Sequence, residues 1–181
     1  MSAQAERRRI LESFANGPAT LGAALRRFPR KMWVYKDSPD RPSIHDTICS
    51  LADAEVIEYV YCRRFIADPG VPPVEIDPHI WTGNLDYFYV DIKAAMGVIR
   101  SLRRVTYHFL QVLPQNSWTR VLDLPGHGRL SLDDWLEIRE NSFPANITRM
   151  ERIYTVWWEN RSSVHTPGSA SKHVPVESFA S

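Results

Sequence analysis

The 181-residue chain is poor in cysteine, has no surplus of either charge and contains no long apolar run. Each shortage removes a class of protein. Net charge is +1, from 22 basic and 21 acidic residues. Holding a phosphate backbone needs cations in excess on one face, so no nucleic-acid partner is expected. The short runs Arg7-Arg8-Arg9 and Arg26-Arg27 read as solvated helix faces. The two cysteines, Cys49 and Cys62, fall on one expected helix, ~20 Å apart along its axis, too far for a disulfide within the chain. No apolar stretch reaches the ~20 residues of a membrane span, and no signal-peptide pattern opens the chain. With reduced thiols, these features predict a soluble cytoplasmic protein with no membrane partner. Internal repeats are absent, as are G-x-S-x-G, P-loop, G-x-G-x-x-G and H-E-x-x-H motifs.

What is present is helical periodicity. A first segment runs from about Gln4 to Ala15. Asn16-Gly17-Pro18 is expected to stop it, with a continuation from Ala19 to Phe28. A second helix starts at Ser43, which can cap it while Asp46 returns a hydrogen bond to the cap's N–H, and lasts to about Ala67. "DPGVPPVEIDPHIWTG" follows, too long for an ordinary helix connection: an active-site cover or a crossover along the bundle. The third helix carries Leu85, Phe88, Ile92, Ala95, Ile99, Leu102, Thr106, Phe109 and Leu113 at steps of three and four, and ends at Pro114. "QNSWTRVLDLPGHGR" allows a short extended piece but no sheet is expected. The fourth helix opens at Ser131, with Asp134 as its capping partner. Four long amphipathic segments predict an all-α four-helix bundle with a long crossover connection. Residues 1–160 form the expected single domain. Residues 161–181, rich in Ser, Pro, His and Gly, are the expected flexible tail.

Three stretches carry a resemblance: "PSIHDTICSLADAEVIEYVYCRRFIADPG", "WTGNLDY" and "LEIRENSFPANITRMERI". Over roughly residues 20 to 158 the chain resembles the DinB/YfiT-like family of four-helix bundles, many of them read as metal-dependent enzymes. The resemblance implies a three-histidine site for Zn, Ni or a similar ion, and hydrolase or thiol S-transferase activity. In that family a histidine directly precedes Leu-Ala-Asp-x-Glu; here Leu51-Ala52-Asp53-Ala54-Glu55 follows Ser50. The family's two other histidines stand four apart shortly before a Glu-Arg-Ile stretch. Counting back from Met150-Glu151-Arg152-Ile153 places Ser142 and Asn146 there. The implied ligand positions are therefore Ser50, Ser142 and Asn146.

That substitution changes the chemistry. Neutral imidazole is a good donor to borderline metals. A hydroxyl and a carboxamide are weak donors that do not readily replace the metal's hydration shell. No resident metal is expected; the alternative is Zn or Ni held by substitute ligands, with Asp46, Asp53 and His79 as the conceivable set. Pro144 removes a helical N–H and crowds the preceding turn, so a kink is expected near Ser142, either merely tolerated or shaping a pocket. Asp46, Ser50, Asp53, Ser142, Asn146 and Arg149 would converge on a polar cavity, with Arg149 able to pair with Asp53. Cys49 beside it is a conceivable nucleophile, although helix-buried thiols are mostly inert. Trp157 and Trp158 cannot both face the core, which allows a homodimer contact. Three readings stay open: a metal-free small-molecule-binding or interaction protein, an enzyme using substitute ligands or metal-free Asp and Cys chemistry, and a structural dimer with a self-filled cavity.

Overall fold

The structure is a computed structural model that describes residues 3–71, 73, 76 and 78–164. Its long helices are α1 (Ala3–Arg27), α2 (Ile44–Ala67), α4 (Ile92–Gln111) and α5 (Leu132–Val164). A short α3 (Pro78–Asn84) interrupts the long second connection. α4 packs against α2 and α1, and α1 against α5; α2 and α5 meet over a shorter length. Contacts set the directions. Arg7, Ser13 and Arg27 of α1 meet Asp133, Glu140 and Glu151 of α5, so these two run parallel. His45 and Glu55 of α2 meet Val90, just before α4, and Arg103 within it, so these two are parallel as well. Parallel neighbours need a connection that returns the length of the bundle, and residues 68–91 provide it.

Both predicted capping boxes form. The Ser43 hydroxyl accepts from Asp46 N–H at 3.1 Å, and Asp46 Oδ2 accepts from Ser43 N–H at 3.0 Å. Ser131 and Asp134 repeat the pattern at 3.2 and 2.9 Å. Each box satisfies donors that a helix start leaves unpaired.

Four local expectations are corrected. First, α1 does not stop at Asn16-Gly17-Pro18 but runs through it. Pro18 cannot donate to the Phe14 carbonyl, and Arg103 Nη1 of α4 donates to that oxygen instead, at 3.3 Å. Gly17 is required by proximity: a Cβ there would sit 2.8 Å from Cδ2 of Phe143. Second, α4 begins at Ile92, capped by Asp91, so Leu85 and Phe88 precede it and are exposed. Its buried face is Ala95, Met96, Ile99, Arg103, Thr106 and Leu110. Third, an antiparallel hairpin, β1 (Val121–Leu124) and β2 (Gly128–Ser131), precedes α5. Its tip needs positive φ at Gly126 and Gly128 (73° and 70°), with His127 between them. Fourth, helix α5 continues through Arg161 to Val164; residues 165–181 lie outside the described residues.

The apolar core forms two clusters. One gathers Leu21, Phe28, Ile48, Ile99, Met150 and Trp157, with others. The second gathers Leu11, Phe65, Leu110, Leu122 and Trp135, with others. Between them in every helix register lies a buried polar layer: Glu55 of α2, Arg103 of α4 and Arg139 of α5.

Candidate functional site

The short contact between α2 and α5 leaves a cleft of about 930 Å³. On α2, Asp46, Ser50 and Ala54 line it at steps of four, which puts them on one helix face. On α5, Asn146, Arg149 and Arg152 line it at steps of three. The loop around Asp37–Pro42 and the segment Thr82–Tyr87 form its rim, so the long connection also covers the site. A smaller groove of about 420 Å³ lies between the start of α1 and the end of α4. Its main cation is already spent: Arg7 grips Asp133 at 2.6 Å through two nitrogens and stacks on Trp118.

The expected site residues divide between different surroundings. Asp46, Ser50, Asn146 and Arg149 line the cleft together. Asp46 is engaged in the cap and in an ion pair with Lys36 at 3.0 Å. Burial works against its charge, but the Ser43 N–H, the Lys36 ammonium and the Ser43 hydroxyl together hold its carboxyl below the ordinary value. Asp53 does not pair with Arg149; its Oδ2 accepts from the Tyr87 hydroxyl at 2.6 Å. Burial, and then Asp53 itself, push the Tyr87 hydroxyl up. Cys49 is buried, and burial followed by the charges of Asp46 and Asp53 pushes its thiol up to about 12. Such a thiol is a poor nucleophile at neutral pH. Beside it, His45 Nδ1 stands 3.9 Å from Sγ, while Nε2 meets the Val90 carbonyl at 3.1 Å. His79 falls within α3, and its side chain lies outside the described residues.

Ser142 turns away from the cleft and into the buried polar layer. Its hydroxyl accepts from Arg103 Nη2 at 3.1 Å and donates to the Arg139 carbonyl at 2.9 Å. Asn146 Nδ2 donates to the Ser142 carbonyl at 2.8 Å. Pro144 thus sits within a continuous helix whose two flanking polar residues serve different places. Arg103 is the centre of the layer, 1 % exposed. Its Nε and Nη2 donate to Glu55 Oε1 at 2.9 and 2.8 Å, and its guanidinium lies 4.1 and 4.0 Å from the ring centres of Phe14 and Phe143. Arg139 adds a contact to Glu55 Oε1 at 3.0 Å and one to Glu58 at 3.3 Å. Trp135 Nε1 donates to Glu58 Oε2 at 2.6 Å. Burial pulls Arg103 below its ordinary value, opposed by Glu55. The layer pairs its charges internally, as a buried ionic cluster requires, but Arg139 Nε is buried without an acceptor among the described residues.

The three-histidine metal site implied by the resemblance does not fit these residues. Two hydroxyls and a carboxamide are the donors at Ser50, Ser142 and Asn146, and a guanidinium already occupies the space beside Ser142. A divalent ion there would face a fixed positive charge. Among the described residues, no three His, Cys, Asp or Glu side chains are grouped so as to hold a metal ion.

Sequence reasoning missed Arg152 and the buried layer. Arg152 stands three after Arg149, a visible spacing. Arg103 stands four after Ile99 and three before Thr106 on the stripe itself, but an arginine there reads as an interruption. Glu55, the last residue of the quoted Leu-Ala-Asp-Ala-Glu, is its partner.

No protein-family model and no curated protein sequence matches the chain. Among solved structures it is similar to YfiT from Bacillus subtilis, described as "a probable metal-dependent hydrolase with an unusual four-helix bundle topology". The TM-score is 0.74 at 15% identity, and the match covers 90% of each chain. The two-parallel-pair arrangement found here, matched over nearly the whole of both chains, gives this protein the DinB/YfiT-like four-helix bundle fold.

Proposed function

We propose that this chain is a metal-free binding protein whose α2–α5 cleft takes a small polar molecule. One observation carries the reading: the cleft is roomy and its polar walls are only partly engaged. About 930 Å³ lies within the size range of small-molecule sites. Arg149 and Arg152 line it with no ion pair or hydrogen bond among the described residues. A side-chain-filled bundle interior has no such space, which weighs against a purely self-filled cavity at this end. The self-filled part is the arginine layer, one step deeper. The binding domain takes in residues 1–160, and the reading needs no second copy of the chain.

A second reading is a metal-dependent hydrolase, as the structural neighbour is described, or the thiol S-transferase that the family resemblance implies, with Zn or Ni on substitute ligands. It would have to draw Asp46 from its cap and Asp53 from Tyr87. Elemental mass spectrometry separates the two. Tag-free protein, before and after incubation with Zn²⁺ or Ni²⁺ and desalting, is expected to hold well below one ion per chain. Near-stoichiometric metal, lost in Asp46→Asn or Asp53→Asn, would overturn the metal-free reading and favour the second. The binding reading itself is tested by Ala54→Trp, which fills the cleft. Small molecules released from the purified protein by heat and identified by mass spectrometry should be missing from this variant. The same molecules in both samples would count against the cleft.

A further inference from the structure

We infer that the cleft ligand is an amphipathic organic anion: its carboxylate or phosphate sits on Arg149 and Arg152, and its apolar body lies over Leu51, Ala54 and Ile153. This deepens the binding reading above and rests on it. The charges of the cleft carry the first half. Among the described residues, four cations and four acids line it, so their sum is neutral and their placement decides. Lys36 is held by Asp46 at 3.0 Å, and Arg41 by Asp37 at 2.8 Å. Asp86 caps the turn that follows it, accepting from Phe88 N–H at 3.0 Å. Asp40 is exposed on the loop. None of the four acids pairs with Arg149 or Arg152 among the described residues.

Helix α5 offers the two arginines no counter-charge of its own. The positions three and four residues from them hold Ala145, Asn146, Thr148, Ile153, Thr155 and Val156, besides the arginines themselves, so no acid lies within helical reach. Glu151, between them in sequence, turns to α1 and pairs with Arg27 at 2.8 Å. Two like charges three apart on one helix face repel each other, and an anion shared between them offsets that repulsion. Guanidinium binds a carboxylate or phosphate through paired N–H bonds. On the facing helix the Ser50 hydroxyl, without a hydrogen-bond partner among the described residues, adds a donor. Apolar side chains carry the second half. Leu51, Ala54 and Ile153 line the same cleft, and Leu85 on its rim is 47% exposed. A hydrocarbon body laid across them removes that surface from water. A wholly polar anion would leave it wet, and a neutral apolar molecule would make no use of the two guanidinium groups.

The test uses the full chain labelled with ¹⁵N and four probe sets of matched length, three to eight carbons: alkyl carboxylates, alkyl phosphates, primary amides and alkylamines. Inorganic phosphate serves as a head group alone. Shifts of the Ser50, Ala54 and Gly83 backbone amides report occupancy, and titration gives Kd. At the best length, one of the two anionic sets should bind about tenfold or more tightly than the matched amide or amine, as for one charge-assisted contact. The tighter of the two names the head group. Affinity in that set should rise with chain length and exceed that of inorganic phosphate about tenfold or more. The double substitution Arg149→Gln/Arg152→Gln should weaken the set about tenfold or more. Arg100→Gln/Arg104→Gln removes two exposed arginines of α4 outside the cleft. At physiological salt it should change binding by less than about twofold. Amides or amines that match the anions overturn the inference, as does anion binding unchanged in the cleft variant or weakened equally in the α4 variant. Inorganic phosphate that binds as tightly as the best alkyl probe overturns the apolar body. Each of these results leaves the cleft a binding site. If no probe of any set moves a cleft amide, the binding reading falls and this inference falls with it. Melting temperatures of both variants control for folding.

Discussion

Removing one charge from the buried layer should destabilise the bundle far more than removing any surface ion pair. Glu55→Gln is the informative change. Glu55 Oε1 receives three N–H groups, two from Arg103 and one from Arg139. A neutral amide cannot balance Arg103, which forms no ion pair with another carboxylate among the described residues and is sealed between Phe14 and Phe143. Breaking a buried pair from one side costs about 3–5 kcal/mol, against a total stability of about 5–15 kcal/mol. For a chain of this size the melting temperature should fall by roughly 6–20 °C. Arg103→Met should cost less, at or below the lower end of that range of about 3–5 kcal/mol. Glu55 keeps Arg139, and methionine can fill the space between the rings, but the Phe14 carbonyl loses the donor that offsets Pro18. Urea unfolding followed by tryptophan fluorescence gives both values, provided the m-value is unchanged. The exposed pair Arg8–Glu12 provides the scale: Glu12→Gln should change stability by less than about 1 kcal/mol. A Glu55→Gln loss below about 1 kcal/mol, or one smaller than that of Arg103→Met, would refute the view that Glu55 is the main counter-charge of Arg103.

Three further outcomes follow from particular contacts. Gly17→Ala should cost about 1–3 kcal/mol, because its methyl group would meet the Phe143 ring at 2.8 Å; a neutral result in the same urea assay would show that α1 and α5 can part there. Cys49 should resist iodoacetamide at pH 8 until the chain unfolds, since its thiol is pushed up to about 12; alkylation of native protein at the rate of a free peptide thiol, read by peptide mass spectrometry, would contradict the burial. Asp46→Asn should destabilise by about 1 kcal/mol at neutral pH through the lost cap. The folded carboxyl titrates below its ordinary value of 3.8, so this difference should be complete above about pH 5 and shrink as pH falls through the lowered value. A gap in thermal midpoint that stays constant from pH 6 to pH 3 would argue against the charge of Asp46.

Much of the fold was written locally. Ser43 with Asp46, and Ser131 with Asp134, fix two helix starts through side chains three residues apart, so the chain alone determines them. The stripe of α4 was legible from Ala95 to Thr106 because apolar spacing is a property of one helix. Asn16-Gly17-Pro18 misled for the opposite reason. Its local chemistry ends a helix, and only Arg103, reaching from α4, and Phe143, pressing from α5, make an uninterrupted α1 possible. The candidate site divides the same way. Asn146 and Arg149 share a helix face by their spacing of three, but that Ser50 of α2 lines the same cleft depends on how the helices pack, and Ser142, four residues from Asn146, belongs to another neighbourhood. Sequence by itself determined which residues could be helical and which could not ligate a metal well, because both depend on side-chain chemistry. Tertiary structure alone decided which charges were neutralised. A charge's partner can lie fifty or more residues away, and whether Arg103 is buried in the core while Arg152 stays open to the cleft depends on which helix faces pack together.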